Sequence, residues 1–99
     1  MYIYLIGNSE RFKIGFSKNP EHRLKTLQTG NSENLILYKK YHSPKFYLKI
    51  EKALHFTYGH QNYNNEWFSL TIDEALMFEN HCITIENNLK LINDKSFTN

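Results

Sequence analysis

The sequence predicts an α+β fold: a small three-stranded antiparallel sheet with flanking helices, in the order β-β-α-β-α-α. Three observations carry this. The first sixteen residues hold two short aromatic and β-branched runs around a turn cluster, the pattern of a hairpin. Asn19-Pro20 and Ser43-Pro44 each put a capping residue and a proline ahead of a helically spaced segment. Thr71-Ile72-Asp73-Glu74 forms a capping box before a long apolar stripe.

In residues 1–6, Tyr2 and Tyr4 share one strand face, while Ile3 and Leu5 share the other. Gly7-Asn8-Ser9-Glu10 turns the chain, and Phe12-Lys13-Ile14-Gly15-Phe16 resumes strand character with Lys13 opposed to Phe12 and Ile14. Gly15 marks a bend or a close approach of another backbone. The first helix starts with Asn19 as N-cap, Pro20 and an acid, Glu21, and runs to about Thr29, with Gly30 as a left-handed stop. Leu24 and Leu27 make its buried stripe, flanked by Arg23. Residues 34–42 read as a third strand with Leu35, Leu37 and Lys39 at alternate positions. Ser43-Pro44 opens a second helix to about Tyr58, with Gly59 as its stop. Tyr47, Ile50 and Leu54 form its apolar face, and Glu51 and His55 lie beside it, four residues apart. Residues 60–65 are loop, and Glu66 to Leu70 is a short extended segment anchored by Trp67 and Phe68. A third helix follows from Thr71 to about Ile92, with Phe78, Cys82, Ile85 and Leu89 on one face. Residues 1–92 thus form one domain and 93–99 a polar tail.

Composition narrows the function classes. With 40% hydrophobic and 22% charged residues, the 99-residue chain has the makings of one folded core rather than disorder. No apolar run reaches the roughly 20 residues of a membrane span, and MYIYLIG lacks the basic start of a signal peptide. The single cysteine, Cys82, forms no internal disulfide, and no Cys/His cluster suggests zinc, so a cytoplasmic location is expected. Charge is uneven: residues 1–52 carry ten Lys/Arg against four Asp/Glu, and residues 53–99 two against six. A basic half suits a polyanion partner, or it is simply one of two solvated faces of opposite sign.

Tyr2-Ile3-Tyr4, Lys13-Ile14-Gly15, Arg23 in NPEHRLKTLQTG, Glu51 in IEKALH and Glu66-Trp67-Phe68 in NEWF follow one another in order. On these motifs the chain resembles the GIY-YIG nuclease family, in particular its phage-type branch with a KIG second motif. The resemblance spans residue 2 to about residue 70 and implies a metal-dependent endonuclease that hydrolyses DNA phosphodiesters with Mg²⁺ (or Mn²⁺). It also implies a phage or mobile-element setting, in a bacterial or phage-infected host cell.

The resemblance further implies roles for residues. Tyr4 matches a general base for the attacking water. A free phenol titrates near pH ~10, and Lys13 facing it across the hairpin would favour the phenolate. Arg23 matches a phosphate clamp, bidentate and always charged, with the helix N-terminus behind it. Glu51 matches the metal ligand, one carboxylate being enough for an ion that keeps its waters. Tyr2 and His55 are supporting residues: Tyr2 lines the site or packs, and His55 orients Glu51, contacts phosphate or covers the core. Gln28 and Asn31 are structural or DNA-contacting. Glu66 is structural, and a further site asparagine would come from Asn62, Asn64, Asn65 or Asn87. The reading requires Tyr4, Lys13, Arg23 and Glu51 to line one shallow groove; Glu51 held across the sheet from Tyr4 defeats it. Family members commonly append a separate DNA-binding domain, so this module is expected to bind DNA weakly, or to work as a homodimer or with a DNA-targeting partner. The alternative is a weak or inactive module of the same fold that binds nucleic acid, a phosphorylated ligand or a protein.

Overall fold

The computed structural model describes residues 1–59, 62–64 and 67–98, with the main chain alone at 62–64 and 94–98. The elements are β1 (Tyr2–Gly7), β2 (Phe12–Ser17), α1 (Pro20–Thr29), β3 (Ile36–His42), α2 (Tyr47–Thr57), β4 (Asn62–Asn64), β5 (Trp67–Phe68), α3 (Ile72–Leu76) and α4 (Phe78–Thr98). The α+β class expected from the sequence is observed. The sheet, however, has five antiparallel strands in the order β3-β1-β2-β5-β4 rather than three. The expected three strands are its centre. The added pair forms because the segment around Trp67 does more than anchor: it hydrogen-bonds along β2, with Phe12 opposite Phe68 and Lys13 opposite Trp67.

Strand alternation divides the apolar residues between two faces. One face carries Ile3, Leu5, Phe12 and Ile14, which pack with Ile50, Leu54 and Tyr58 of the α2 segment and with Phe78 and Cys82 of α4. The other carries Tyr4 and Ile6, which with Leu35 pack against Leu24 and Leu27 of α1 and against Trp67. The chain therefore builds three layers, with α1 alone on the Tyr4 side. A bulge opposite Leu5 and Ile6 places Leu37 across from Ile6 and Lys39 across from Leu5. Leu37 consequently packs with the Tyr4 cluster and Tyr38 with the larger core. The expected alternation of Leu37 with Lys39 on one face is broken there, because a bulge inserts a residue and shifts the phase.

Local signals hold in part. The Asn19 side chain accepts from the His22 N–H at 3.1 Å, and Pro20 occupies the first turn of α1. Gly30 is not left-handed; its φ is −97° and its N–H bonds the Gln28 carbonyl. The left-handed position belongs to Ser9, φ 80°, in the β1–β2 turn. The Asn8 side chain bridges that turn by accepting from the Glu10 and Arg11 N–H groups. Ser43-Pro44 does not open α2 directly: Ser43 Oγ accepts from the Phe46 N–H at 3.3 Å, and the helix begins at Tyr47. The capping box at Thr71 and Glu74 is complete, with bonds of 3.1 and 2.9 Å. It caps only α3. Met77 separates α3 from α4, and α4 runs past Ile92 to Thr98, through a stretch with no glycine or proline to stop it. Among the described residues, no helix is long and apolar enough to cross a membrane.

Candidate active site

The short β5 covers β2 only at Phe12 and Lys13. From Ile14 to Ser17, β2 keeps β1 on one side and, among the described residues, has no strand on the other. α1 passes this free edge on one face of the sheet and α2 on the other. Between them opens a cleft of about 270 Å³ to which Tyr4, Lys13, Arg23 and Glu51 all contribute, with Gly15 and His55. Although α2 covers the face opposite Tyr4, Glu51 reaches the same opening because the cleft is a notch in the sheet's edge. The four residues expected to converge thus line one groove.

Tyr4 is 2% exposed, fixed among Ile6, Leu35 and the α1 leucines. Its partner across the hairpin is Gly15, not Lys13. A β-carbon at residue 15 would stand 2.5 Å from the Tyr4 hydroxyl. Glycine there makes room for a side chain, not for the backbone approach expected from the sequence. Lys13 sits opposite Ile6, a diagonal neighbour of Tyr4 on the same face. It is 7% exposed, rare for a lysine, and its Nζ lies 5.8 Å from the centre of the Trp67 ring.

Arg23 is the residue that touches the phenol: its Nε donates to the Tyr4 hydroxyl oxygen at 3.4 Å. Glu21, two residues before it in α1, pairs with Lys40 at 2.8 Å. That exposed bond holds the Glu21 carboxyl below its usual range and Lys40 above its own. The α1 N-terminus is less open to an anion than expected, because the His22 N–H goes to the Asn19 side chain and the Arg23 N–H to the Asn19 carbonyl. His55 Nε2 donates to the Ile14 carbonyl at 2.7 Å, on the uncovered edge of β2. A carbonyl only accepts, so Nε2 carries a proton, and in a neutral ring Nδ1 is then the acceptor. The His55 ring also meets Phe68 edge-on at 5.0 Å.

The remaining candidates fall elsewhere. Tyr2 packs on His42, with ring centres 4.9 Å apart, beneath the Lys40 ammonium. Gln28 is structural: its amide donates to the Asn31 and Glu33 carbonyls and accepts from the Leu35 N–H. Asn87 is exposed on α4. Asn65 and Glu66 lie outside the described residues, as do the side chains of Asn62 and Asn64. Sequence reasoning missed Glu86 of α4, which accepts from the hydroxyls of Tyr41 and of fully buried Ser43 and so ties α4 to the end of β3. Burial works against its charge, but these hydroxyls, with Lys90 and His42, hold its carboxyl below the usual range. Burial and the same carboxylate push Tyr41 up to about 12. No spacing rule links residues 41, 43 and 86.

Comparison with protein families matches the T5orf172 domain over residues 1–87. The chain belongs to the T5orf172 domain family. This is a phage-associated family related to nuclease-type folds. The matched residues of the T5orf172 domain contain the whole cleft, and with it every residue expected to act. No curated protein and no solved structure matches the chain.

Among the described residues, no group of three or more His, Cys, Asp or Glu side chains is gathered to hold a metal. Among the described residues the cleft offers a single carboxylate, Glu51. That donor set does not fit zinc, which takes three or four protein ligands. It does fit Mg²⁺ or Mn²⁺, hard ions bound by one or two carboxylates and otherwise by water and substrate phosphate.

Proposed function

We propose that the cleft at the free edge of β2 is the active site of a metal-dependent endonuclease of GIY-YIG type that hydrolyses DNA phosphodiesters. The observation that carries this reading is the convergence of Tyr4, Lys13, Arg23 and Glu51, from four separate elements, on one opening. Glu51 would hold Mg²⁺ or Mn²⁺, which when bound supplies Lewis-acid polarisation of the phosphate and help for the leaving oxygen.

The chain's own residues do the rest. Having first given its own proton to solvent, the Tyr4 oxygen takes one from the attacking water as the new P–O bond forms and the bond to the leaving oxygen breaks. Arg23, bonded to that oxygen, and Lys13, lining the same cleft, supply the positive charge its proton-accepting form needs. Arg23, already aimed at the hydroxyl, has guanidinium N–H groups left to bind a non-bridging phosphate oxygen. His55, locked by its bond to Ile14, fixes one wall of the cleft and turns an acceptor away from the strand. Gly15 lets the phenol lie flat against β2, close to where substrate enters. A module this small binds DNA chiefly through phosphates, so sequence choice would come from outside it.

Supercoiled plasmid incubated with Mg²⁺ or Mn²⁺ tests the proposal. Nicking should appear with metal, stop with chelator, and fall at least a hundredfold in Glu51→Ala and in Tyr4→Phe. Nicking that survives both substitutions defeats the assignment. One observation favours a binding module instead: Tyr4 is nearly inaccessible and its oxygen is engaged by Arg23. DNA binding that weakens in Arg23→Ala, without cleavage of any DNA by the wild type, would select that second reading.

A further inference from the structure

Next to the cleft lies a second cavity of about 220 Å³, built by the β1–β2 turn, the α1–β3 connection and β5. Asn8, Arg11, Asn31, Ser32, Glu33 and Trp67 line it, with hydrophobic backing from Leu35. The two openings share a wall: Lys13 lines the cleft, and the indole 5.8 Å from its ammonium lines the cavity. We propose that this cavity receives an unpaired nucleobase of the DNA strand whose phosphate occupies the cleft. The inference rests on the nuclease or phosphate-binding reading of that cleft.

Three properties favour a base. The cavity is smaller than the roughly 300–1,000 Å³ pockets of drug-sized ligands, a scale that suits one flat heterocycle. Its aromatic wall is the single tryptophan of the chain, half-buried against the Tyr4 cluster, and bases of any sequence stack on such rings. Its other walls present amide, hydroxyl, guanidinium and carboxylate groups, the donors and acceptors that read a base edge.

The walls are also fixed before any ligand arrives. Glu33 accepts from the Asn8 amide and from Arg11, joining the two loops. Asn31 Oδ1 accepts from the Glu33 N–H, and Gln28 holds the same connection from within. A site organised in this way gives up little freedom on binding.

Because Trp67 is the sole tryptophan, its fluorescence reports this site directly. Glu51→Ala protein titrated with a short single-stranded oligonucleotide should show saturable quenching, and the same oligonucleotide made abasic throughout should bind roughly tenfold more weakly with no quenching. Ser32→Phe, which fills the cavity from an exposed loop, should abolish the quenching while its far-UV spectrum stays that of the wild type. Saturable binding by anisotropy with unchanged Trp67 emission overturns the proposal and leaves the cleft reading standing. Equal quenching by a free mononucleotide also overturns it, since the base would then be held without its strand. Loss of plasmid nicking and of all DNA binding in the wild type, by contrast, marks failure of the cleft reading itself.

Discussion

Gly15→Ala is the most direct perturbation of the site. Nothing in the backbone forbids it, because no glycine in the chain has a positive φ. The obstacle is space: the new methyl would meet the Tyr4 hydroxyl at 2.5 Å and its Cζ at 2.7 Å. A free tyrosine would swing aside, but this ring is 2% exposed and wedged among Ile6, Leu35 and the α1 leucines. Overpacking of that kind costs about 2 kcal/mol, a fall in Tm of roughly 8–16 °C for a domain this size. Moving the hydroxyl also takes it from Arg23 and from its place in the cleft, so nicking should fall by at least about tenfold. Thermal unfolding by circular dichroism and the plasmid assay give the two readouts. In a Tyr4→Phe background the nearest clash disappears while that with Cζ remains, and the cost of Gly15→Ala should drop by about 0.5–1 kcal/mol. An unchanged Tm, or an identical cost in both backgrounds, would refute the packing described for Tyr4 over Gly15.

Other outcomes follow from single contacts. Gln28→Ala removes three bonds that organise residues 31–35 and should cost about 1–3 kcal/mol in urea unfolding. The Glu86 carboxyl is held below its usual value in the fold, so the stability it contributes is present above the unfolded value of 4.5 and is lost as pH falls through the folded one. Glu86→Gln should flatten that acid limb of a stability–pH profile. Tyr41 and Tyr58 are both raised to about 12, Tyr58 mainly by burial. Their contribution is complete below the unfolded value of 10 and disappears as pH rises through 12, so unfolding should become easier over that interval. Thr71→Ala, which breaks the capping box, should cost about 1 kcal/mol in the same measurement.

What the sequence made legible was mostly local. The hairpin, the Asn19 cap and the box at Thr71 are short-range signals, and each is present. The four cleft residues were found because their motifs come in order, although each belongs to a different element. Register was not legible. That Gly15 rather than Lys13 faces Tyr4 depends on how the β1–β2 turn closes, and Ser9 supplies the left-handed residue there without a glycine to announce it. Ser43 looked like a helix cap because its type and its proline neighbour fit. Its hydroxyl does accept from the Phe46 N–H, but it also donates to Glu86, forty-three residues away, a partner that only the folded chain supplies. The extra strand pair was half legible: the segment at Trp67 and Phe68 reads as extended, but two residues are too few to show that they pair with β2, and residues 62–64, expected as loop, become a strand only by pairing with them.

The bond from His55 to the Ile14 carbonyl has a consequence for solubility as well as for the cleft. A bare strand edge invites pairing with another chain, and proteins guard such edges with short lengths, charges or covering elements. Under the proposed function the stretch from Ile14 to Ser17, which no strand covers among the described residues, has to admit substrate and so cannot be sealed by one. A helix side chain occupies the Ile14 carbonyl instead, which takes one acceptor away from a foreign strand without closing the cleft. The histidine therefore answers two pressures at once, and losing it should bring β-type self-association along with any change in cleavage.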